Sequence, residues 1–147
     1  MNLINKNKLI LYSLILGFFG FVVATYLTIF HYKNVLPPCS LTTNCEKVLT
    51  SQFATIGPIP LALLGSLFYL TVIVLCILIL TSYKKVLVDI FYAVSALGFL
   101  VSIILVLIQI NILHAFCQYC LLSEAISTGI MILCYLHYKE RKKRISI

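Results

Sequence analysis

Four long apolar runs alternate with short polar segments along the chain. They cover roughly residues 9–31, 60–82, 88–112 and 116–138. Each holds about 20 residues, and at a rise of ~1.5 Å per residue such a run crosses a hydrocarbon core of ~30 Å. The third and fourth runs are nearly continuous. One helix of their joint length would overshoot a bilayer, so a break is predicted near Asn111–His114. Polar residues gather in one long loop, 32–59, and in a basic tail, 139–147. The pattern predicts an all-α integral membrane protein. It is a single membrane domain, 1–147, built as a four-transmembrane-helix bundle.

Composition agrees with this reading and excludes two others. Hydrophobic residues make up 62% of the 147 positions and charged residues 10%. Mean hydropathy is +1.10. A water-soluble domain of this size has too little interior to hide so much apolar surface, and a disordered chain needs low hydrophobicity. Lys6 and Lys8 before the first run imitate a secretory signal. That run is longer than the ~7–15 residues of a signal core, so it reads as an uncleaved first span.

The net charge is +7. Its distribution points to membrane orientation rather than nucleic acid. Lys6, Lys8, Lys84, Lys85, Lys139, Arg141, Lys142, Lys143 and Arg144 lie at one set of run ends, and only Lys33 and Lys47 lie in the long loop. Basic residues favour the cytoplasmic side. Both termini are therefore expected inside, with residues 32–59 extracytoplasmic. The basic tail suits anionic headgroups.

The long loop carries the first candidate chemistry. Pro37-Pro38 is expected to end the first helix and fix an extended stretch. Thr43 and Glu46 form a capping-box pattern, which predicts a short lid helix from about Asn44 to Ser51. Val48, Leu49 and Phe53 give that segment an apolar side. Gly57-Pro58-Ile59-Pro60 turns the chain into the second span, with Pro60 suited to the first helical turn. Cys39 and Cys45 flank the start of the lid and permit a structural disulfide in an oxidising compartment.

A second pair, Cys117-Gln118-Tyr119-Cys120, opens the fourth run. Free amides and the helix dipole at such a position stabilise a thiolate. The topology puts both pairs on one membrane face. Two couples there suggest a relay, one pair meeting a protein and the other a membrane-bound electron acceptor. At helical spacing Cys117, Cys120, Glu124, Ser127 and Thr128 share one arc. An ionised carboxylate is unfavourable at the depth of Glu124, and the neutral acid is the cheaper form. Glu124 is then a proton donor to a bound acceptor, or a structural partner of Gln109, Asn111 or Tyr69.

Other polar and small residues read as structural. Ser13, Gly17, Gly20, Ala24, Thr28 and His31 share one helix face, as do Ser95, Gly98, Ser102 and Gln109. Small residues let membrane helices approach closely, so both stripes read as bundle seams, and Gly65 as a close approach near the mouth of the second span. Cys76 and Cys134 lie deep in apolar runs and read as small hydrophobes. His31 and His114 sit near the outer face.

The stretches Gly20–Tyr32, Cys39/Cys45 followed by Glu46–Ser51, Gly57–Gly65 with Tyr69, and Phe116–Ser123 resemble, in that order, the vitamin K epoxide reductase family in its small bacterial form. The resemblance implies a four-helix bundle around a quinone, ubiquinone or menaquinone, beneath a lid helix. It implies that Cys120 faces the quinone, that Cys117 exchanges with the loop pair, and that Cys39 and Cys45 take electrons from a thioredoxin-like protein. Ser51, Tyr69 and Glu124 would then contact the quinone. Many bacterial members carry a fused thioredoxin-like domain, so the expected partner here is a separate protein. Leu61 and Glu124 stand where animal members have Asn and Tyr, which favours quinone reduction over epoxide reduction.

The expected activity is thus a membrane thiol:quinone oxidoreductase that supports disulfide formation at the extracytoplasmic face of a bacterial inner or plasma membrane. The rivals are a reductase of the same fold serving another pathway, a four-thiol zinc site, and a structural subunit with two staples.

Overall fold

The computed structural model describes residues 3–39 and 45–145. The Thr43 capping box lies outside them. The chain runs α1 (Leu3–Tyr32), α2 (Cys45–Leu49), β1 (Thr55–Ile56), β2 (Ile59–Pro60), α3 (Leu61–Thr81), α4 (Lys85–Ile108), a π-helical turn (Gln109–Leu113) and α5 (Gln118–Ile145). Among the described residues, four helices are long and apolar enough to cross a membrane: Asn7–Tyr32, Leu61–Thr81, Lys85–Leu113 and Gln118–Glu140. They form the expected four-helix bundle. Their outer faces remain apolar, with Phe18, Phe19, Leu97, Leu100 and Ile132 exposed. No interior of this chain covers those side chains, and lipid is the solvent that suits them.

The seams follow the small residues. On α1, Gly17 and Gly20 face Val72 and Tyr69 of α3, and Ala24 faces Gly65. A Cβ on Gly20 would overlap the Tyr69 ring, so glycine here is what lets that ring lie between the helices. Gly129 of α5 brings Leu16 of α1 into contact. Some hydroxyls within the spans return to the helix backbone: Ser13 donates to the Leu9 carbonyl at 3.0 Å and Thr28 to the Ala24 carbonyl at 2.7 Å. The core joins Ile10, Ala24, Tyr69, Val72, Cys76, Phe91, Ile130 and Cys134.

Several boundaries differ from the sequence expectation, each for a local reason. Helix α1 stops at Tyr32, before Pro37-Pro38. Asn34 takes a left-handed φ of 52° and Val35 N–H bonds the Phe30 carbonyl at 3.2 Å. Asparagine tolerates that conformation and so ends the helix. The lid α2 spans Cys45–Leu49 and ends two residues before the expected Ser51, while Asn44 lies outside the described residues. The segment after it is a small hairpin, Thr55↔Pro60 and Ile56↔Ile59, which the all-α reading did not include. Gly57, at φ 62°, takes the first central position of its two-residue loop, where only glycine is unstrained. Pro60 is the N-cap of α3 rather than part of its first turn. Helix α5 continues through Lys139 and Glu140 into the basic tail.

The break between the third and fourth spans falls where expected, and its form is a surprise. Gln109–Leu113 is a widened π turn, closed by His114 at φ 45°. Both His114 and Ala115 N–H groups point back to the Gln109 carbonyl. The wider turn carries Gln109 to the bundle interior, at 3% exposure, in an otherwise apolar helix.

Candidate functional site

Both cysteine couples meet at one end of the bundle. Cys39 and Cys45 form a disulfide with Cα atoms 6.4 Å apart. Cys117 and Cys120 are thiols. Cys45, Val48, Ala115 and Cys117 make one buried cluster, with Cys39, Leu49, Leu113, Tyr119 and Cys120 packed around it. Cys45 and Cys117 are almost fully buried there, at 1% and 0% exposure, whereas Cys39 stays partly accessible. The short lid α2 is what carries Cys45 inward, because Cys45 and Val48 are its buried face.

Cys117 caps α5. Its carbonyl accepts the first helical bond, from Leu121 N–H at 2.9 Å, and its sulfur accepts Cys120 N–H at 3.4 Å. Its thiol is lowered from 9.0 to about 7. The first cause is the Cys120 thiol hydrogen-bonded to it. Burial opposes this, and the main-chain N–H groups of Cys120 and Tyr119 add to it. Unpaired amides at a helix start stabilise negative charge on sulfur in this way.

Below the thiols lies a cavity of about 380 Å³. That volume is within the range of small-molecule sites. Its roof is the lid and hairpin, with Val48, Leu49, Ser51 and Phe53. Its walls come from α1, α3, α4 and α5. Leu64, Leu97 and Val101 line it and are also exposed to the bilayer side, so the cavity borders lipid between α3 and α4. Cys120 is on its wall and Cys117 is not.

The expected ligand contacts fare unequally. Ser51 lines the cavity and gives its hydroxyl proton to the Val48 carbonyl at 2.8 Å. Tyr69 lines it as an apolar wall. Its hydroxyl donates to the Ser123 carbonyl at 2.6 Å and shares a 2.9 Å bond with Ser123 Oγ. That pairing ties α3 to α5. Glu124 lines the cavity, 7% exposed, and accepts Gln109 Nε2–H on Oε1 at 2.9 Å. Of the three structural partners weighed for Glu124, Gln109 is the one found. Glu124 Oε2 and Ser127 Oγ are buried with no partner among the described residues. Polar atoms buried in this way call for a ligand or water partner.

The small-residue stripe of α4 has two roles. Ser95 is buried in the seam, while Gly98, Ser102 and Gln109 line the cavity. Gly98 leaves room for the Phe68 ring, another lining residue. Ser123 was missed from sequence. Its position three residues after Cys120 was the available signal. His31 lines the cavity and His114 caps the π turn. Cys76 and Cys134 are buried at the other end of the core, away from the couples. Among the described residues, no group of three or more His, Cys, Asp or Glu stands close enough to hold a metal ion.

The model of the vitamin K epoxide reductase family matches residues 11–135. The chain belongs to this family. Membership makes it a membrane oxidoreductase of the thiol–disulfide kind. The match runs from within the first apolar helix to within the fourth and includes the lid and both cysteine couples. No curated protein matches the chain.

Proposed function

We propose that this family member is a thiol:quinone oxidoreductase that drives disulfide formation at the extracytoplasmic face of a bacterial inner or plasma membrane. The observation that carries the reading is the radial order of the sulfurs. Cys39 is partly accessible, Cys45 and Cys117 are buried in one cluster, and Cys120 lines the cavity. Electrons from a reduced thioredoxin-like protein then have one sensible route.

The partner's thiolate attacks Cys39, the sulfur it can reach, and Cys45 leaves as a thiolate. Cys45 attacks Cys117 in the oxidised Cys117–Cys120 pair, and Cys120 leaves as a thiolate on the cavity wall. Attack of the partner's second thiol on its mixed disulfide releases Cys39. Cys39 resolves the Cys45–Cys117 bridge and regenerates the loop disulfide. The reduced Cys117–Cys120 pair remains. The low pKa of Cys117 makes it a good leaving group when Cys39 attacks Cys45 of the bridge. In the reduced pair Cys117 also serves as the base for the Cys120 thiol bonded to it.

The cavity fits a quinone ring. It is apolar, borders lipid between α3 and α4, and is lined by Glu124 and Ser127, whose Oε2 and Oγ are buried without a partner among the described residues. Ser51, Tyr69 and Glu124 would hold the ring, with Tyr69 acting through its face. A bound quinone supplies the acceptor for two electrons and two protons. The distribution of Lys and Arg supports the orientation of the site.

The test is anaerobic. The purified protein, a reduced thioredoxin-like protein and a short-chain quinone are mixed, and quinone absorbance is followed. Quinone loss is expected with the wild-type chain and not with Cys120→Ala. Loss that persists at the same rate in Cys120→Ala rejects the route.

A further inference from the structure

Gln109 occupies a constrained position. Its Oε1 accepts the main-chain N–H of Cys117 at 3.2 Å, and its Nε2 donates to Glu124 Oε1 at 2.9 Å. A main-chain N–H is only a donor. It therefore fixes the side-chain amide in one orientation, oxygen toward Cys117 and nitrogen toward Glu124. The Nε2 hydrogen in turn makes Glu124 Oε1 an acceptor. If the carboxyl carries a proton, Oε2 is the oxygen that bears it. Oε2 has no partner among the described residues, and Glu124 lines the cavity beside Cys120 and Ser127.

The surroundings favour the neutral acid on geometry alone. The carboxyl lies within a span, where charge is unfavourable. Among the described residues, no Lys or Arg lines the cavity. The titratable groups around Glu124 are Cys117 and Cys120 from its own end of the chain, Tyr69 of α3 and His31 of α1. Helix α4 and the π turn contribute Ser102 and Gln109, both neutral.

We propose that Glu124 is a catalytic acid with its proton on Oε2, and that Gln109 is the positioning residue that assigns the proton to that oxygen under orders from the Cys117 amide. The proposal rests on the quinone reading above. In the step, the two sulfurs of the reduced pair give two electrons and become a disulfide. One ring oxygen takes the Glu124 proton, and the other takes one thiol proton. The remaining thiol proton restores the Glu124 acid. Two thiols and one quinone thus become one disulfide and one quinol.

The experiment uses the full chain in lipid nanodiscs, dithiothreitol as electron source and a short-chain benzoquinone as probe. Glu124→Gln should lower kcat by ~10²–10⁴-fold, the usual loss of a general acid. The quinone KM should stay within about threefold, because the amide keeps a donor toward the cavity. Infrared spectra should contain a carboxylic-acid carbonyl band that Glu124→Gln removes. Gln109→Met and Gln109→Asn should move that band to higher frequency, because Oε1 loses its donor. Two variants are used so that one poorly folded protein does not decide the matter, and thermal unfolding identifies it.

An unchanged kcat in Glu124→Gln overturns the catalytic assignment. A wild-type spectrum without the band, or a band indifferent to both Gln109 variants, overturns the proton placement. The two readings fail separately. If the wild-type chain leaves the quinone oxidised, the quinone reading falls, while the infrared arm still reports on Glu124 and Gln109.

Discussion

Tyr119 Oη donates a hydrogen bond to the Pro38 carbonyl at 2.7 Å, joining residues 81 positions apart. Tyr119 sits between Cys117 and Cys120, and Pro38 immediately precedes Cys39. The bond therefore links the two cysteine couples through their neighbours. The Tyr119 ring also meets Tyr26 of α1, with centroids 5.5 Å apart. A side chain of the C-x-x-C motif thus holds the loop that carries the other cysteine couple.

Tyr119→Phe keeps the ring and removes the bond. It should destabilise the fold by ~0.5–1.5 kcal/mol, the usual net value of one hydrogen bond. Its larger effect should be kinetic. Exchange between the couples should slow, while quinone turnover with dithiothreitol, which needs only Cys117 and Cys120, should hold. Stopped-flow comparison of a protein dithiol with dithiothreitol checks this. Equal slowing with both donors would remove the clamp from the account.

The sulfurs should trap in a defined order. With Cys39→Ser and Cys120→Ala combined, mild oxidation should yield a Cys45–Cys117 disulfide, since those two share one buried cluster. With Cys45→Ser and Cys120→Ala combined, Cys39 should give much less bridge to Cys117 and more adduct with a thioredoxin-like protein. Mass spectrometry of alkylated peptides separates the species.

The Cys117 thiol, lowered to about 7, should lose that shift when its main cause is removed. Cys120→Ala should return the midpoint toward 9.0, and Cys120→Ser, which keeps a hydroxyl donor, should not. Thiolate ultraviolet absorbance of the reduced protein gives the midpoint. The sign for stability follows from the depressed value. The contribution to the reduced fold is complete above the ordinary pKa of 9.0 and is lost as pH falls through about 7.

Gly20→Ala puts a methyl group where the Tyr69 ring lies. Overpacking of this kind destabilises by ~1–3 kcal/mol. The ring would have to move, and with it the Tyr69–Ser123 bonds that tie α3 to α5. Thermal unfolding in detergent should fall accordingly. Combining Gly20→Ala with Tyr69→Leu should recover part of the loss, because the smaller side chain vacates the space.

The spans, the bundle and the identity of the chemical groups were legible in the residues. Apolar runs of bilayer length admit one backbone solution in lipid, the helix, because every N–H and C=O must be paired within the run. The small-residue faces of α1 and α4 survive translation into structure because they depend only on helical periodicity. The sequence could not say which sulfur is inside, since Cys39 and Cys45 are alike in one dimension and differ only by the lid that buries one of them. Nor could it orient Gln109, whose two bonds join residues eight and fifteen positions away through a π turn. Such pairings are settled by packing: burial of a polar group is tolerated only where its partner already stands, and the bundle alone puts the Cys117 amide, the Gln109 side chain and the Glu124 carboxyl in line.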